Sequence, residues 1–130
     1  MKNYLFTLML SIVFIGWGCK EAAKDPMLIE AFDIHKESVD IAAETVELWE
    51  KLPASDSMRS TFDARLQNWG DNLIEVPGFH YHHDGLGHHH GRPQLELTPE
   101  DALLIQKEFR DSILSIRQSI LTYQSRQTQQ

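Results

Sequence analysis

The stretch PMLIEAFDIHKESVDIAAETVELWEKL, residues 26–52, decides the fold of this 130-residue chain. Its apolar side chains recur at steps of three and four residues, the spacing that places them on one face of an α-helix. Further apolar residues widen this face on one side, which predicts a helix that contacts more than one neighbour. The apolar face comprises Leu28, Phe32, Val39, Ala42, Val46 and Trp49, widened by Ile34, Ile41 and Leu48.

The opposite face of the same helix carries a stripe of carboxylates. These residues repeat with the same helical spacing along the whole segment. The stripe comprises Glu30, Asp33, Glu37, Asp40, Glu44 and Glu47. Such a stripe could gather cations, but charges at the outer positions of a helix are usually a solvated surface, and this is the interpretation that we favour.

A second amphipathic segment follows after a short break. The break is Leu52-Pro53-Ala54-Ser55, and either Ser55 or Asp56 is suited to cap the next helix. Because the connection is so short, it predicts that the second helix returns along the first. Pro77-Gly78 marks its end. Its apolar face comprises Met58, Phe62, Leu66, Trp69, Leu73 and Val76.

A third helix is predicted from residue 99 onward. Thr98 is its N-cap, Pro99 occupies the first helical position, and Asp101 is placed for an acidic variant of the capping box. Its apolar face comprises Ile105, Phe109, Ile113, Ile116, Ile120 and Tyr123. Three amphipathic helices with a short first and a long second connection predict an all-α, antiparallel three-helix bundle with up-down-up topology. We expect the domain to span residues 27–124, with a His-rich loop at 78–96 and a disordered tail at 125–130.

The beginning of the chain reads as an export signal. Lys2 precedes the apolar stretch Leu5 to Trp17, which is shorter than the roughly 20 residues that span a bilayer. Residues 1–18 are therefore predicted to be a signal peptide. The run ends in Gly16-Trp17-Gly18-Cys19, which resembles the lipobox of bacterial lipoproteins. That resemblance implies that Cys19 is lipidated and that residues 19–26 form a tether. An ordinary signal peptide followed by a free thiol is the alternative.

The lipoprotein resemblance also implies a location. Lys20-Glu21 follows the cysteine in place of the aspartate that retains such proteins at the inner membrane, which indicates the outer membrane of the cell envelope. The face, periplasmic or surface, stays open. Ala31, Phe32 and His35 form an alanine-phenylalanine-x-x-histidine pattern that is similar to small helical lipoproteins of Bacteroidetes. This similarity implies no activity.

Composition excludes several classes of function. The chain has 12 basic and 19 acidic residues, a formal charge of −7, and loss of residues 1–18 with Lys2 makes it −8. Such a charge argues against nucleic acid as a partner, and against anionic lipid headgroups as the main one. With one cysteine, the chain has neither an internal disulfide nor a cysteine-based metal site.

Six of the seven histidines lie in the segment FHYHHDGLGHHHG, residues 79–91. Imidazole suits zinc, copper and nickel, and Gly85 and Gly87 permit the turn that would bring both halves of the segment to one ion. His80 and His82 with two residues from His88 to His90 are a plausible ligand set. The candidate metal ligands are His80, His82, His83, Asp84, His88, His89 and His90. A solvated loop whose histidines merely tolerate exposure is the alternative.

Two functions follow from these features. The first is an envelope lipoprotein that binds or buffers a divalent transition metal, zinc, copper or nickel. The second is a structural or adaptor lipoprotein that docks on an outer-membrane protein complex, with the loop incidental or sensing pH. No H-E-x-x-H motif or nucleophile beside a base is present, so we expect neither enzymatic activity nor a small-molecule substrate. The seventh histidine, His35, lies on the apolar face near the level of Leu73, and we expect a core residue with a satisfied nitrogen.

Overall fold

A computed structural model describes residues 24–81 and 95–129 of the chain. Within these ranges the chain forms three helices and no strand. The helices are α1 (Pro26–Glu50), α2 (Arg59–Asn72) and α3 (Pro99–Gln127). The prediction of three helices and no strands is confirmed for the described residues. None of these helices combines the length and the apolar character that crossing a membrane requires.

The first helix follows the sequence closely. The side chain of Asp25 accepts a hydrogen bond from the backbone N–H of Met27 at 2.8 Å, and Pro26 occupies the first turn, where its missing N–H costs nothing. The helix ends at Glu50, two residues before the predicted end at Leu52. Local capping and the apolar pattern together are therefore sufficient to define α1.

The second helix is shorter than predicted at both ends. It begins at Arg59, because Asp56 caps a separate turn: its carboxylate accepts from the backbone N–H of Met58 at 2.8 Å. It ends at Asn72, after the weak helix formers Gly70, Asp71 and Asn72. Leu73 and Val76 are buried as the apolar pattern predicted, but from non-helical backbone.

The third helix begins as predicted and ends later. The hydroxyl of Thr98 accepts from the backbone N–H of Asp101 at 3.2 Å and donates to its carboxylate at 2.8 Å, so this N-cap is confirmed. The helix continues to Gln127, three residues into the segment 125–130 that was predicted to be a disordered tail.

Contacts of α3 with the other two helices run in opposite orders. Salt bridges join Glu30 to Lys107 at 3.2 Å and Glu44 to Arg117 at 3.0 Å, so residue numbers rise together on α1 and α3. The ring of Phe62 lies 5.8 Å from that of Tyr123, whereas the Trp69 indole donates to the carbonyl of Phe109 at 3.0 Å. As residue numbers rise along α2, the residue numbers of the contacted positions on α3 therefore decrease.

The carboxylate stripe of α1 is only partly the solvated surface that we favoured. Glu30, Glu37 and Glu44 form salt bridges with basic residues of α3, the middle one with Arg110 at 3.7 Å. All three glutamate side chains remain more than half exposed, at 55%, 55% and 59%. The stripe thus faces solvent and also borders the interface between α1 and α3.

The buried line of α1 is more polar than its apolar pattern suggested. It includes Ser38 and Thr45, whose hydroxyls donate to the carbonyls of Ile34 and Ile41, four residues earlier, at 2.7 and 2.6 Å. These intrahelical bonds satisfy the hydroxyls without a partner from another helix. The buried residues of α1 are Ala31, Ile34, His35, Ser38, Val39, Ala42 and Thr45.

Candidate functional site

The described part of the predicted His-rich loop begins with a turn that requires glycine. Gly78 has a φ of 76°, in the left-handed region that side chains disfavour. The backbone N–H of Phe79 donates to the carbonyl of Val76 at 3.1 Å and closes this turn. The turn directs the residues after Pro77 across the start of α1.

These first loop residues pack against the first turns of α1. The Phe79 ring stacks on Phe32 with centroids 4.5 Å apart, and the Tyr81 ring meets Phe32 edge-on at 6.2 Å. The ammonium group of Lys24 lies 3.8 Å from the centre of the Phe79 ring and donates to the carbonyl of Gly78 at 3.2 Å. The loop therefore starts beside the N-terminal end of α1 and contacts Lys24, which follows Cys19 by five residues in the sequence.

Of the predicted metal ligands, only His80 lies within the described residues. Its side chain is 76% exposed, and its Nδ1 lies 3.9 Å from a carboxylate oxygen of Glu75. His82, His83, Asp84, His88, His89 and His90 lie outside the described residues, as does the predicted lipidation site Cys19. Across residues 24–81 and 95–129, no group of three or more potential ligands is assembled.

His35 lies next to the loop start but inside the bundle. It is 2% exposed, and its Nδ1 lies 3.1 Å from Oε1 of Gln106, as expected for a core histidine with a satisfied nitrogen. The amide of Gln106 donates in turn to the carbonyl of Ile74 at 2.7 Å. This chain of hydrogen bonds joins α1, α3 and the segment after α2. It also places His35 close to the predicted level of Leu73.

The ring of His35 contacts the aromatic residues that lead into the loop. It stacks on Phe32 with centroids 6.4 Å apart and meets the Tyr81 ring edge-on at 6.2 Å. Tyr81 immediately precedes the segment that contains the remaining histidines. The structure thus brings together His35 and the entry to the loop, which are 46 positions apart in the sequence.

Sequence reasoning missed Gln106. It follows Ile105 and precedes Phe109, both assigned to the apolar face, yet it is fully buried. Its position continues the heptad line through Ala102, Phe109 and Ile113, where a polar residue with an amide is out of place. A glutamine on that line was the available signal for a buried hydrogen-bond partner.

A shallow groove of about 490 Å³ lies at the other end of the bundle, between α2 and α3. Tyr123 on its wall donates to both carboxylate oxygens of Asp56, at 2.8 and 2.9 Å, and this hydrogen bond raises the pKa of the tyrosine above 10.0. The groove is lined by Met58, Phe62, Arg65, Ser115, Gln118, Ser119, Thr122, Tyr123 and Arg126.

Comparison with known proteins identifies no relative of this chain. No protein family, no curated protein and no solved structure matches it. The functional interpretation therefore rests on the residues and the geometry described above.

Proposed function

We propose that this protein is an envelope lipoprotein that binds or buffers a divalent transition metal, zinc, copper or nickel, through its His-rich loop. The ligands come from His80, His82, His83, Asp84, His88, His89 and His90, with His80, His82 and two of the last three as the preferred set. One observation carries the proposal: six imidazoles lie within 13 consecutive residues. Imidazole nitrogen is a preferred ligand of all three metals.

The geometry around His80 is compatible with this role. A metal ligand has to reach an ion that arrives from solvent, and the His80 side chain is largely exposed. The nearby carboxylate of Glu75 adds negative charge at the loop entry, which favours the approach of a cation. Neither group is used in the packing of the helices, so the loop can bind metal without rearranging the core.

The proposal includes the arrangement of the protein on the membrane. Cys19 carries the lipid, and α1, α2 and α3 run up, down and up from an anchor in the outer membrane. The contact of Lys24 with Gly78 and Phe79 supports a loop at the anchored end, because Lys24 lies five residues after Cys19. No enzymatic activity is part of the proposal.

Calorimetric titration of the full chain in detergent with zinc and copper tests this function. We expect sub-micromolar binding at pH 7.5 with a defined stoichiometry, removed when His80, His82, His88 and His90 are replaced together by alanine. Because an imidazole must be neutral to bind a metal ion, binding should be much weaker at pH 5.5 than at pH 7.5.

A matched control replaces two carboxylates of α1 and leaves the histidines unchanged. Asp40 and Glu47 are exposed on α1 and have no ion-pair partner within the described ranges. Asp40→Asn with Glu47→Gln should leave metal binding unchanged. If this double variant loses binding and the histidine variant keeps it, the ion sits on the carboxylate stripe and the loop proposal is wrong.

An adaptor that docks on an outer-membrane protein complex is the second candidate. It is favoured by apolar side chains exposed at the end of the bundle where the loop begins: Met27, Ile29 and Leu104 are 40%, 44% and 58% exposed. Ile29→Glu with Leu104→Glu should abolish cross-linking to a membrane protein in intact cells if this function holds. The same variant should retain full metal affinity if the first function holds.

A further inference from the structure

We propose that the groove between α2 and α3 binds a small amphipathic anion, a carboxylate or phosphate group attached to an apolar body. The groove has a volume of about 490 Å³, within the range of about 300–1,000 Å³ that is usual for small-molecule sites. It lies at the end of the bundle away from the loop, so this binding is separate from the proposed metal function. Two features of the groove support it: the charge of its lining and the apolar side chains between its charged groups.

The lining of the groove is positively charged in a chain that is acidic overall. Arg65 of α2 and Arg126 of α3 both line it, and no carboxylate does so among the described residues. The whole chain has 19 acidic and 12 basic residues. A cationic groove therefore does not follow from the overall composition, and it favours the approach of an anion.

Neither of these two arginines has an ion-pair or hydrogen-bond partner within residues 24–81 and 95–129. The other arginines of these ranges are engaged in contacts. Arg110 and Arg117 form salt bridges with glutamates of α1, and the guanidinium carbon of Arg59 lies 4.6 Å from the centre of an indole ring. A guanidinium group presents five N–H donors in a planar fork that matches a carboxylate or a phosphate. Arg65 and Arg126 thus retain these donors for a ligand.

Apolar side chains line the groove between the two helices that carry the arginines. The rings of Phe62 and Tyr123 meet edge-on with centroids 5.8 Å apart and join α2 to α3, and Met58 adds its thioether. The Tyr123 hydroxyl is already engaged with Asp56, so the tyrosine offers its ring to the groove. An apolar body packs on these side chains while its anionic group pairs with a guanidinium.

The carboxylate of Asp56 is close to the groove and opposes the arginines. Its oxygens accept hydrogen bonds from the Tyr123 hydroxyl at 2.8 and 2.9 Å and from the backbone N–H of Met58 at 2.8 Å. These donors partly compensate its negative charge. Arg65 and Arg126 are two charges against this one and have no such partners among the described residues, so the groove remains cationic.

A groove whose arginines are only solvated surface charges makes a different prediction. In that case a neutral aromatic molecule would bind as well as its anionic counterpart. Phenylacetate and 2-phenylethanol form the matched pair, because a carboxylate in the first is replaced by a hydroxymethyl group in the second. Acetate is the complementary control, since it carries the same charge without the apolar body.

The test is an NMR titration of the full chain in detergent, labelled with ¹³C at the methionine methyl groups. Met58 lines the groove, whereas Met27 lies at the loop end and is the internal reference. We expect phenylacetate to shift the Met58 signal saturably and to leave Met27 unchanged. 2-Phenylethanol and acetate should each bind at least about tenfold more weakly. Equal affinity for phenylacetate and either control, no saturable shift at Met58, or shifts at both methionines would overturn the proposal.

Two double variants test the role of the arginines. Arg65→Gln with Arg126→Gln should weaken phenylacetate binding by at least about tenfold, because hydrogen bonds between charged groups are the stronger kind. Lys51→Gln with Lys107→Gln makes the same change in net charge outside the groove and should leave the affinity unchanged. Circular dichroism establishes that the helices are retained. Unchanged affinity in the arginine variant, or equal losses in both variants, would contradict the proposal.

Phenyl phosphate in the same titration identifies the anionic group. Binding of either anion that requires the two arginines supports the proposal, and the tighter anion names the group that the groove prefers. The titration contains no metal ion, so a failure here would leave the metal function of the loop untouched.

Discussion

The two ends of the bundle differ in what holds them together. Most of the bundle is held together by one cluster of ten buried apolar side chains, and Tyr81 at the loop entry also packs against this cluster. Its members are Val39, Ala42, Leu52, Phe62, Leu66, Trp69, Leu73, Ile113, Ile116 and Ile120. Among the residues that the structure describes, the buried cluster at the loop end consists of Ala31, Val76 and Ala102. The partly buried side chains that pack against this small cluster are three leucines and two phenylalanines, Leu28, Phe32, Phe79, Leu97 and Leu103.

A buried polar chain separates the two clusters. His35, Gln106 and the carbonyl of Ile74 lie between them along each part of the backbone. Because apolar burial supplies most of the free energy of folding, the large cluster should determine global stability. The loop end should open locally at lower cost. The candidate binding residues therefore lie at the end of the bundle whose rearrangement should least affect the fold.

The most direct test of this difference in stability is to remove one aromatic ring from each end of the bundle. Phe62, 2% exposed in the large cluster, should lose about 3–5 kcal/mol of unfolding free energy when changed to alanine. Phe79→Ala should cost clearly less, because its ring is only half buried. Urea denaturation measures both variants. Equal losses would show that the two ends contribute equally.

Removal of the polar chain tests the boundary between the clusters. Gln106→Leu fills the same space but leaves Nδ1 of His35 and the carbonyl of Ile74 without this partner. Each buried polar group left unsatisfied costs about 1–3 kcal/mol. Urea denaturation should therefore show a loss despite the gain in apolar character. Gln118→Leu, at an exposed position of α3, is the control for the substitution itself.

The salt bridges between α1 and α3 should matter less than either cluster. Glu44→Gln removes the 3.0 Å pair with Arg117, in which the glutamate is 59% and the arginine 35% exposed, and should cost about 0.2–1 kcal/mol. The loss should shrink in high salt, because ions screen exposed charges. Glu47→Gln, an exposed carboxylate without an ion pair among the described residues, should show no salt-dependent loss. A large loss at Glu44 would mean that surface salt bridges contribute as much to the free energy of unfolding as core packing does, which would contradict this prediction.

Tyr123 gives a pH-dependent comparison at the end away from the loop. Its hydrogen bond to Asp56 raises the pKa of the phenol above 10.0, so the contribution to stability is complete below about 10 and is lost as pH rises through the raised pKa. Tyr123→Phe keeps the ring contact with Phe62 but removes the hydroxyl. Unfolding free energy measured from pH 8 upward should fall less steeply in the variant. Identical slopes would rule out this linkage.

Metal removal should have the smallest effect on the fold. The apolar faces of the helices do not involve the loop histidines, so a chelator should leave the helical circular dichroism unchanged. Loss of helical signal would make the loop a folding site and would contradict the separation of stability from binding. Addition of zinc to the chelated protein, followed by the same spectrum, controls for direct effects of the chelator.

Burial did not always follow the apolar patterns from which the helices were predicted. Phe109, assigned to the α3 core, is only partly buried, whereas its neighbour Gln106 is fully buried. A hydrophobic pattern predicts burial from the polarity of each residue alone. A polar side chain can nevertheless be buried when a specific partner forms a hydrogen bond with it. The hydrogen-bond partners of Gln106 lie 71 and 32 positions away in the sequence, and local sequence patterns do not predict contacts over such separations.

The amino-acid sequence alone was sufficient to predict three helices, the N-cap of α3 and a concentration of histidines after α2. These features depend on local hydrogen bonding, on helical periodicity and on composition, all of which are determined by residues that are close in the sequence. Only the tertiary structure decided that Asp56 caps a turn and binds Tyr123, that half of the carboxylate stripe pairs with α3, and that His35 lies beside the loop entry. Each of these contacts joins residues that are distant in the sequence. Such contacts form only after the packing of the core has brought the helices together.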